Sequence, residues 1–502
     1  MPKLYLLNHR IVPTPSMIYS GVPFGTEMLY GLALALGAES SAKLLHFGFG
    51  AAAAAAIYSW CKKHVNRKAA ILAALLFYSA PMVCFESTVA MVELAMTFYV
   101  LLAALVVLDA IQAETATPDA KALVLAGTLA GFAVGTKYNA GLYVPVLALP
   151  LIYRNHRDGA VGARALARQL ALFFASAALA FAPWALKNWL FYHDPVFPFF
   201  CRFFKGNPVA NAAGLSRDAY VRNIGAAFTT WAGFKDLLTG LWNPYAHNID
   251  SYVGPALEIG LPWLLLARWQ SVKQRSLVIM VAGIWLAWAL HTSLPRFIMP
   301  AIPLFCILVA EALCRADMPR KLRALLIGFT GYTIVITMAA IFMMLADPGT
   351  WKVAYGRMTK PEYLLHEHPS YKAPYYAGVE FINRNLPQDA VVLFVGEERG
   401  FYCERKFITA SVFDVNPLTD LAESSANEDV LLANLRGRGI DYLLVNAGSS
   451  HYADWRKGLS PKALLRYENL LKNKARLLFE HNKQYSPDDR SWVQVFKLGD
   501  SI

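Results

Sequence analysis

Charge is scarce in this chain: only 16% of its 502 residues are Asp, Glu, Lys or Arg. A water-soluble protein carries about 25%. Together with 56% hydrophobic residues and a mean hydropathy of +0.36, that shortfall excludes an all-soluble multidomain protein. Cysteine is also sparse. Cys61, Cys84, Cys201, Cys306, Cys314 and Cys403 form no C-x-x-C pair, which excludes a zinc or dithiol signature. Most lie in or beside apolar runs, where a thiol acts as a small hydrophobe. The start, MPKLYLLNHRIVPTPSMIYSG, has no long apolar core and no small-residue cleavage site, so it is not a signal peptide. No internal repeat is visible. A glycine turn at Gly396 follows an apolar strand but opens neither G-x-G-x-x-G nor a P-loop, so no nucleotide site is indicated.

What is abundant is long apolar runs, and they lie before Ala346. A spanning helix needs roughly 20 such residues. Ala42–Trp60, Ala69–Phe85, Thr88–Ala110, Ala167–Trp184, Ser276–His291, Phe297–Leu313 and Ala324–Ala346 read as spans. Ala122–Gly135, Ala140–Tyr153 and Val253–Ala267 are shorter, which makes about ten in all. The net charge of +12 does not point to nucleic acid. Its basic residues cluster in short loops: Lys62, Lys63, Arg67 and Lys68; Arg154, Arg157, Arg164 and Arg168; Arg268, Lys273 and Arg275; Arg315, Arg320, Lys321 and Arg323. All four clusters fall on one side when the spans are counted, as the positive-inside rule requires of cytoplasmic loops. The loop Ile111–Ala120 is acidic and gives no support. The N-terminus, a long loop over 187–253 and the tail are thereby expected outside the cytoplasm, with Cys201 and Cys403.

Beyond Ala346 the pattern changes. Val391–Gly400 reads as a short strand followed by a glycine turn, and Tyr442–Asn446 and Trp492–Leu498 read as strands, the last as an edge strand. Tyr375–Asn385, Asn427–Arg438 and Pro461–Phe479 read as helices. The alternation predicts a small α/β domain, either structural or capping a substrate.

Polar side chains at membrane depth are costly and mark function. Glu93 interrupts STVAMVELAMTFYVLL near the outer end of its span, and Glu86 lies a turn or two earlier. A carboxylate there suits orienting a hydroxyl or binding a cation; the plain alternative is a glutamate solvated at the interface. Lys137 and Tyr138 stand in GTKYN between two apolar runs. A lysine point charge suits a phosphate, or it snorkels to water. Arg296, in HTSLPRFIMPAIP with His291 nearby, suits bidentate phosphate binding. Lys187, Asn188 and Asp194 belong to PWALKNWLFYHDPVFPFF, whose prolines and aromatics also suit a rigid interfacial loop.

With these residues assembled, the chain resembles the GT-C class of integral membrane glycosyltransferases, the group of protein mannosyltransferases and bacterial aminoarabinose transferases. The resembling segments are PFGTEMLYGLAL, AMVELAMTFY, GFAVGTKYN, APWALKNWLFYHDPVFPFF and LPRFIMPAIPLF, in that order over Lys3–Leu313. The resemblance implies a sugar taken from a polyprenyl-phosphate carrier on the outer face and passed to an unknown glycan, lipid or protein acceptor. It gives Glu93 an acidic role in the second outer loop, and Lys137 and Arg296 the leaving phosphate. The family's usual base lies in the first outer loop, just after a first span. Here no acid precedes Glu27, in PFGTEML, which comes too late to match it. The expectation is therefore that the first span and first-loop acid are missing and that the start is truncated or misassigned, leaving the chain inactive as given.

The expected architecture is an α-helical polytopic membrane bundle over 1–346 with a small extracytoplasmic α/β domain over 347–502, in a bacterial inner (plasma) membrane. The expected partners are the lipid-linked donor, the acceptor and the bilayer. Glu93 and Glu27 are the candidate catalytic residues. Lys137, Tyr138, Arg296, His291, Lys187, Asn188 and Asp194 are the candidate substrate-binding residues. No cofactor is expected, with a divalent cation left open. Two alternatives remain: a non-catalytic membrane assembly protein, and a transporter or flippase of a lipid-linked substrate. A transporter favours repeats and broken spans at mid-membrane, whereas the polar residues here lie at the outer boundary.

Overall fold

The structure, a computed structural model, describes residues 1–14, 17–37, 39–112, 118–158, 162–200, 203–204, 231, 235, 252–254, 257–258, 269–291, 294–314, 319–345, 348–366, 372–411, 414–486 and 489–499. It divides into two compact units. The first covers Met1–Pro13, Gly21–Asn207 and Arg217–Phe342, and the second Thr14–Ser20, Pro208–Ser216 and Met343–Ile502.

The first unit is helical: α1 (Pro2–Leu7), α2 (Gly25–Ala35), α3 (Ser41–His64), α4 (Arg67–Ser79), α5 (Pro81–Glu86), α6 (Glu93–Ala110), α7 (Ala120–Thr136), α8 (Tyr143–Asp158), α9 (Ala163–Tyr192), α10 (Val272–His291), α11 (Ile302–Leu313) and α12 (Arg320–Leu345). Among the described residues, six segments are long and apolar enough to cross a membrane: Ser41–His64, Glu93–Ala110, Ala163–Tyr192, Val272–His291, Pro295–Leu313 and Arg320–Met343. The chain is a multi-span membrane protein. The expected span Val253–Ala267 lies mostly outside the described residues.

Two expected spans differ. Ala69–Phe85 is broken between α4 and α5, because Pro81 drives Ala80 into an extended conformation (ψ 120°). The run from Thr88 becomes helical only at Glu93. Packing explains how α7, at 17 residues, is accommodated. Gly127, Gly131 and Gly135 recur every fourth residue along it, and a Cβ at Gly127 or Gly131 would run into the carbonyl oxygens of Phe173 and Ala177 on α9. Small residues at this spacing let membrane helices approach backbone to backbone. Gly131→Val is therefore expected to lower the melting temperature of the purified protein, since overpacking costs about 1–3 kcal/mol. A wild-type melting curve would contradict the contact.

In the second unit, α13 (Pro348–Ala354) and α14 (Lys360–Leu364) precede a domain of α15 (Tyr376–Asn385), β1 (Val391–Val395), β2 (Lys406–Ile408), α16 (Pro417–Ser424), α17 (Glu428–Gly437), β3 (Tyr442–Asn446), α18 (Ser450–Gly458), α19 (Pro461–Asn473), β4 (Ala475–Ser486) and β5 (Asp489–Leu498). The sheet order is β2-β1-β3-β5-β4. β1 is parallel to β2 and β3, while β5 is antiparallel to β3 and β4. Both faces are covered. Val392 and Phe394 pack with Val379 and Ile382 of α15, and Leu393 and Val395 with Leu418, Leu431 and Leu470 on the other side. Two expectations fail here. The helix from Pro461 stops at Asn473, and the residues beyond it pair with β5 as β4. β5 consequently lies inside the sheet, and β4 takes the edge.

Candidate active site

Two Gly-Thr pairs build the site. Gly25-Thr26 opens α2 and Gly135-Thr136 closes α7. A Cβ on Gly25 would lie 2.8 Å from the Gly135 carbonyl oxygen, so only glycine permits the approach. The hydroxyls of Thr26 and Thr136 are 3.2 Å apart and share a hydrogen bond. Each pair is followed by a charged residue, Glu27 in one case and Lys137 in the other. The packing of the two turns thus brings those residues into one region.

Lys137 donates to Glu93 Oε1 at 2.5 Å. Arg296 Nε lies 3.6 Å from the same oxygen. Residues about 44 and 200 positions apart in sequence (Glu93 to Lys137, Glu93 to Arg296) thereby form one ion cluster, with the Glu93 side chain 2% exposed. Helix ends favour this arrangement. Glu93 is the first residue of α6 and Lys137 is the C-cap of α7, where the helix dipoles attract an anion and a cation respectively. Arg296 comes from the 3-10 turn Pro295–Ala301 between α10 and α11. The Phe297 ring lies 4.1 Å from the Lys137 ammonium, on an apolar floor that supports the charge.

Glu27, on the first turn of α2, is close enough to feel Lys137 and Glu93. Burial nevertheless pushes its carboxyl up to about 7, against its own backbone N–H and Lys137. Among the described residues its Oε2 is buried without a hydrogen-bond partner.

The other predicted residues serve elsewhere. Asn188 donates to the Gly21 carbonyl (2.5 Å) and the Tyr138 hydroxyl (2.7 Å). Tyr138 in turn points its hydroxyl at the carbonyls of Phe197 (3.1 Å) and Gly21 (3.3 Å). Lys187 donates to the Val22 carbonyl at 2.9 Å and lies 4.9 Å from the Phe24 ring. These three side chains anchor the segment that leads into α2. Asp194 receives the Val196 N–H at 3.0 Å, and burial pushes its carboxyl up to about 6. His291 is the half-buried last residue of α10, and Glu86 is the fully buried last residue of α5. Removing the Asn188 amide should uncouple this anchor. Asn188→Ala is expected to lower stability by about 1–3 kcal/mol, the cost of orphaning buried acceptors, as a shift in thermal unfolding; an unchanged midpoint would contradict it.

Sequence reasoning missed His46, on α3. Its Nδ1 lies 2.8 Å from the Val89 carbonyl, and its Nε2 accepts the Leu94 N–H at 3.0 Å. A lone histidine in an apolar helix carries no signal that separates it from packed core.

This arrangement of helices is that of known membrane enzymes. It resembles ArnT from Cupriavidus metallidurans in the apo state (TM-score 0.58, 15% identity, 99% of this chain and 91% of that one). It also resembles the same protein bound to undecaprenyl phosphate (TM-score 0.56, 15% identity, 98% and 92%). The archaeal oligosaccharyltransferase AglB from Archaeoglobus fulgidus, in complex with an inhibitory peptide and a dolichol-phosphate, aligns with a TM-score of 0.51 at 15% identity over 98% of this chain and 69% of that one. The chain has the GT-C fold. Within it, residues 33–193 match the family model of dolichyl-phosphate-mannose-protein mannosyltransferases. That stretch of the GT-C fold holds His46, Glu93, Lys137, Lys187 and Asn188, while Glu27 and Arg296 lie outside it. No curated protein matches the sequence.

Proposed function

We propose that the chain is a membrane glycosyltransferase that moves a sugar from a polyprenyl-phosphate carrier to an acceptor on the outer face of a bacterial inner membrane. The observation that carries this reading is the convergence of Lys137 and Arg296 on one buried carboxylate at one end of a helical bundle. An ammonium offers three N–H donors and a guanidinium five. Glu93 holds both cations in place and takes one Lys137 N–H, leaving the other donors available. In transfer, the bond between the anomeric carbon and the phosphate oxygen breaks, and the electron pair leaves with the phosphate. The acceptor's nucleophilic atom bonds to the anomeric carbon and gives up its proton. Lys137 and Arg296 stabilise the charge gathering on the leaving phosphate.

Of the two candidate carboxylates, Glu93 is already engaged, its Oε1 by Lys137 and Arg296 and its Oε2 by the Val92 N–H, and is poorly placed to take up a proton. Glu27, near 7, is matched to neutral pH. We assign the acceptor's proton to Glu27. A base must be unprotonated, so transfer should rise with pH up to about 7 and level off above it. Glu27→Gln should abolish that limb along with most of the rate. A pH profile identical to wild type in Glu27→Gln would overturn the assignment.

The orientation follows from the basic loops. Cysteines placed at 61–68 should be shielded from an impermeant thiol reagent in intact cells, and cysteines placed in the tail should label. Labelling of both, or of neither, would overturn the orientation and with it the outer-face reaction.

A further inference from the structure

The first turn of a helix has backbone N–H groups without intrahelical partners, normally met by a Ser, Thr, Asp or Asn at the N-cap. At α6 the N-cap is Val92, whose side chain accepts nothing. Yet α6 begins at Glu93, where the carboxylate must be held against two cations. Glu93 meets part of the need itself, its Oε2 accepting the Val92 N–H at 3.1 Å. The Leu94 N–H goes instead to a different helix, to Nε2 of His46 on α3.

The same ring reaches the other end of the turn, with Nδ1 2.8 Å from the Val89 carbonyl. A carbonyl only accepts and a backbone N–H only donates. Nδ1 therefore carries the proton and Nε2 does not, which makes the ring a neutral Nδ1–H tautomer. Between these two points the Tyr30 hydroxyl of α2 donates to the Met91 carbonyl. The segment 89–94 is pinned at three places, two of them on one fully buried imidazole.

We infer that His46 is the positioning residue of this site: its neutral imidazole caps α6 from a neighbouring helix and thereby fixes the Glu93 carboxylate between Lys137 and Arg296. The inference rests on the proposed glycosyltransferase reading. It predicts dependence on hydrogen-bonding capacity and not on ring volume.

The test compares His46→Phe, which keeps a ring, with His46→Gln, which keeps one donor and one acceptor, in the full chain. The probe is undecaprenyl phosphate binding to purified protein, with Glu93→Gln and the double variant His46→Phe/Glu93→Gln alongside. His46→Phe should weaken binding by about tenfold, the scale of a lost buried hydrogen bond, and His46→Gln should restore most of it. The double variant should bind no worse than Glu93→Gln alone. Wild-type binding by His46→Phe, or additive losses in the double variant, would overturn the inference while leaving the functional reading in place. Unchanged binding in Glu93→Gln would instead sink the functional reading itself. Should His46→Phe fail to fold, ¹⁵N imidazole NMR of the wild-type protein decides the matter. A protonated Nδ1 with a bare Nε2 supports the cap, and an Nε2–H tautomer or an imidazolium overturns it.

Discussion

Lys137→Ala is expected to cut the rate of sugar transfer in native membranes by about 10²–10³-fold, the range for deleting one donor aimed at developing charge. Lys137 makes the shortest contact in the cluster, 2.5 Å to Glu93, against 3.6 Å for Arg296. Its loss removes a phosphate donor and also leaves Glu93 with a single, more distant cation. Arg296→Ala should act in the same direction through the donor alone. Because Lys137 is a C-cap whose backbone N–H bonds the Ala133 carbonyl independently of its side chain, the alanine variant should fold. Transfer at the wild-type rate in both variants would return these residues to the role of interfacial anchors.

The second large effect is expected in the tail. Glu397→Ala should destabilise the second unit by about 3 kcal/mol, the lower end of the cost of breaking a buried pair. The Glu397 side chain is 2% exposed, and that of Arg399 is 39% exposed, so water screens the arginine left behind. The carboxylate receives Arg399 in a fork, Nε to Oε1 and Nη2 to Oε2, each at 2.7 Å, and the Asn446 amide at 2.8 Å. Arg399 also donates to the carbonyls of Lys372 and Ala373. The alanine variant therefore removes the carboxylate that ties Arg399 to Asn446 at the end of β3, leaving each of them only its own bond to the segment before α15. Limited proteolysis of the intact protein reads the outcome. Rapid loss of a tail fragment that is stable in the wild type is expected; equal resistance would show that the clamp contributes nothing measurable.

How much of this was legible in the sequence depended on contrast. Glu93, Lys137 and Arg296 stood out because charge at membrane depth is rare, and the structure joins all three in one cluster. Glu27 was legible as a carboxylate but not as a neighbour of Lys137. That proximity comes from two Gly-Thr turns 110 residues apart, and no local pattern links them. Tyr138, Lys187 and Asn188 are polar residues at the same membrane depth in sequence but serve backbone carbonyls, a distinction only the fold makes. His46 was invisible for the reason any buried histidine is. In the tail, β1 and β3 were plain from their apolar runs. β4 was hidden because its LLF run continues the pattern of α19, and pairing with β5 overrides that local preference.

The role proposed for Lys137 and Arg296 is to receive the phosphate of a lipid carrier. The direct measurement is equilibrium binding of undecaprenyl phosphate and of the uncharged alcohol undecaprenol to wild type, Lys137→Ala and Arg296→Ala. Wild type should strongly prefer the phosphate, and each variant should lose much of that preference while binding undecaprenol unchanged. Equal preference for the phosphate in all three proteins would contradict it.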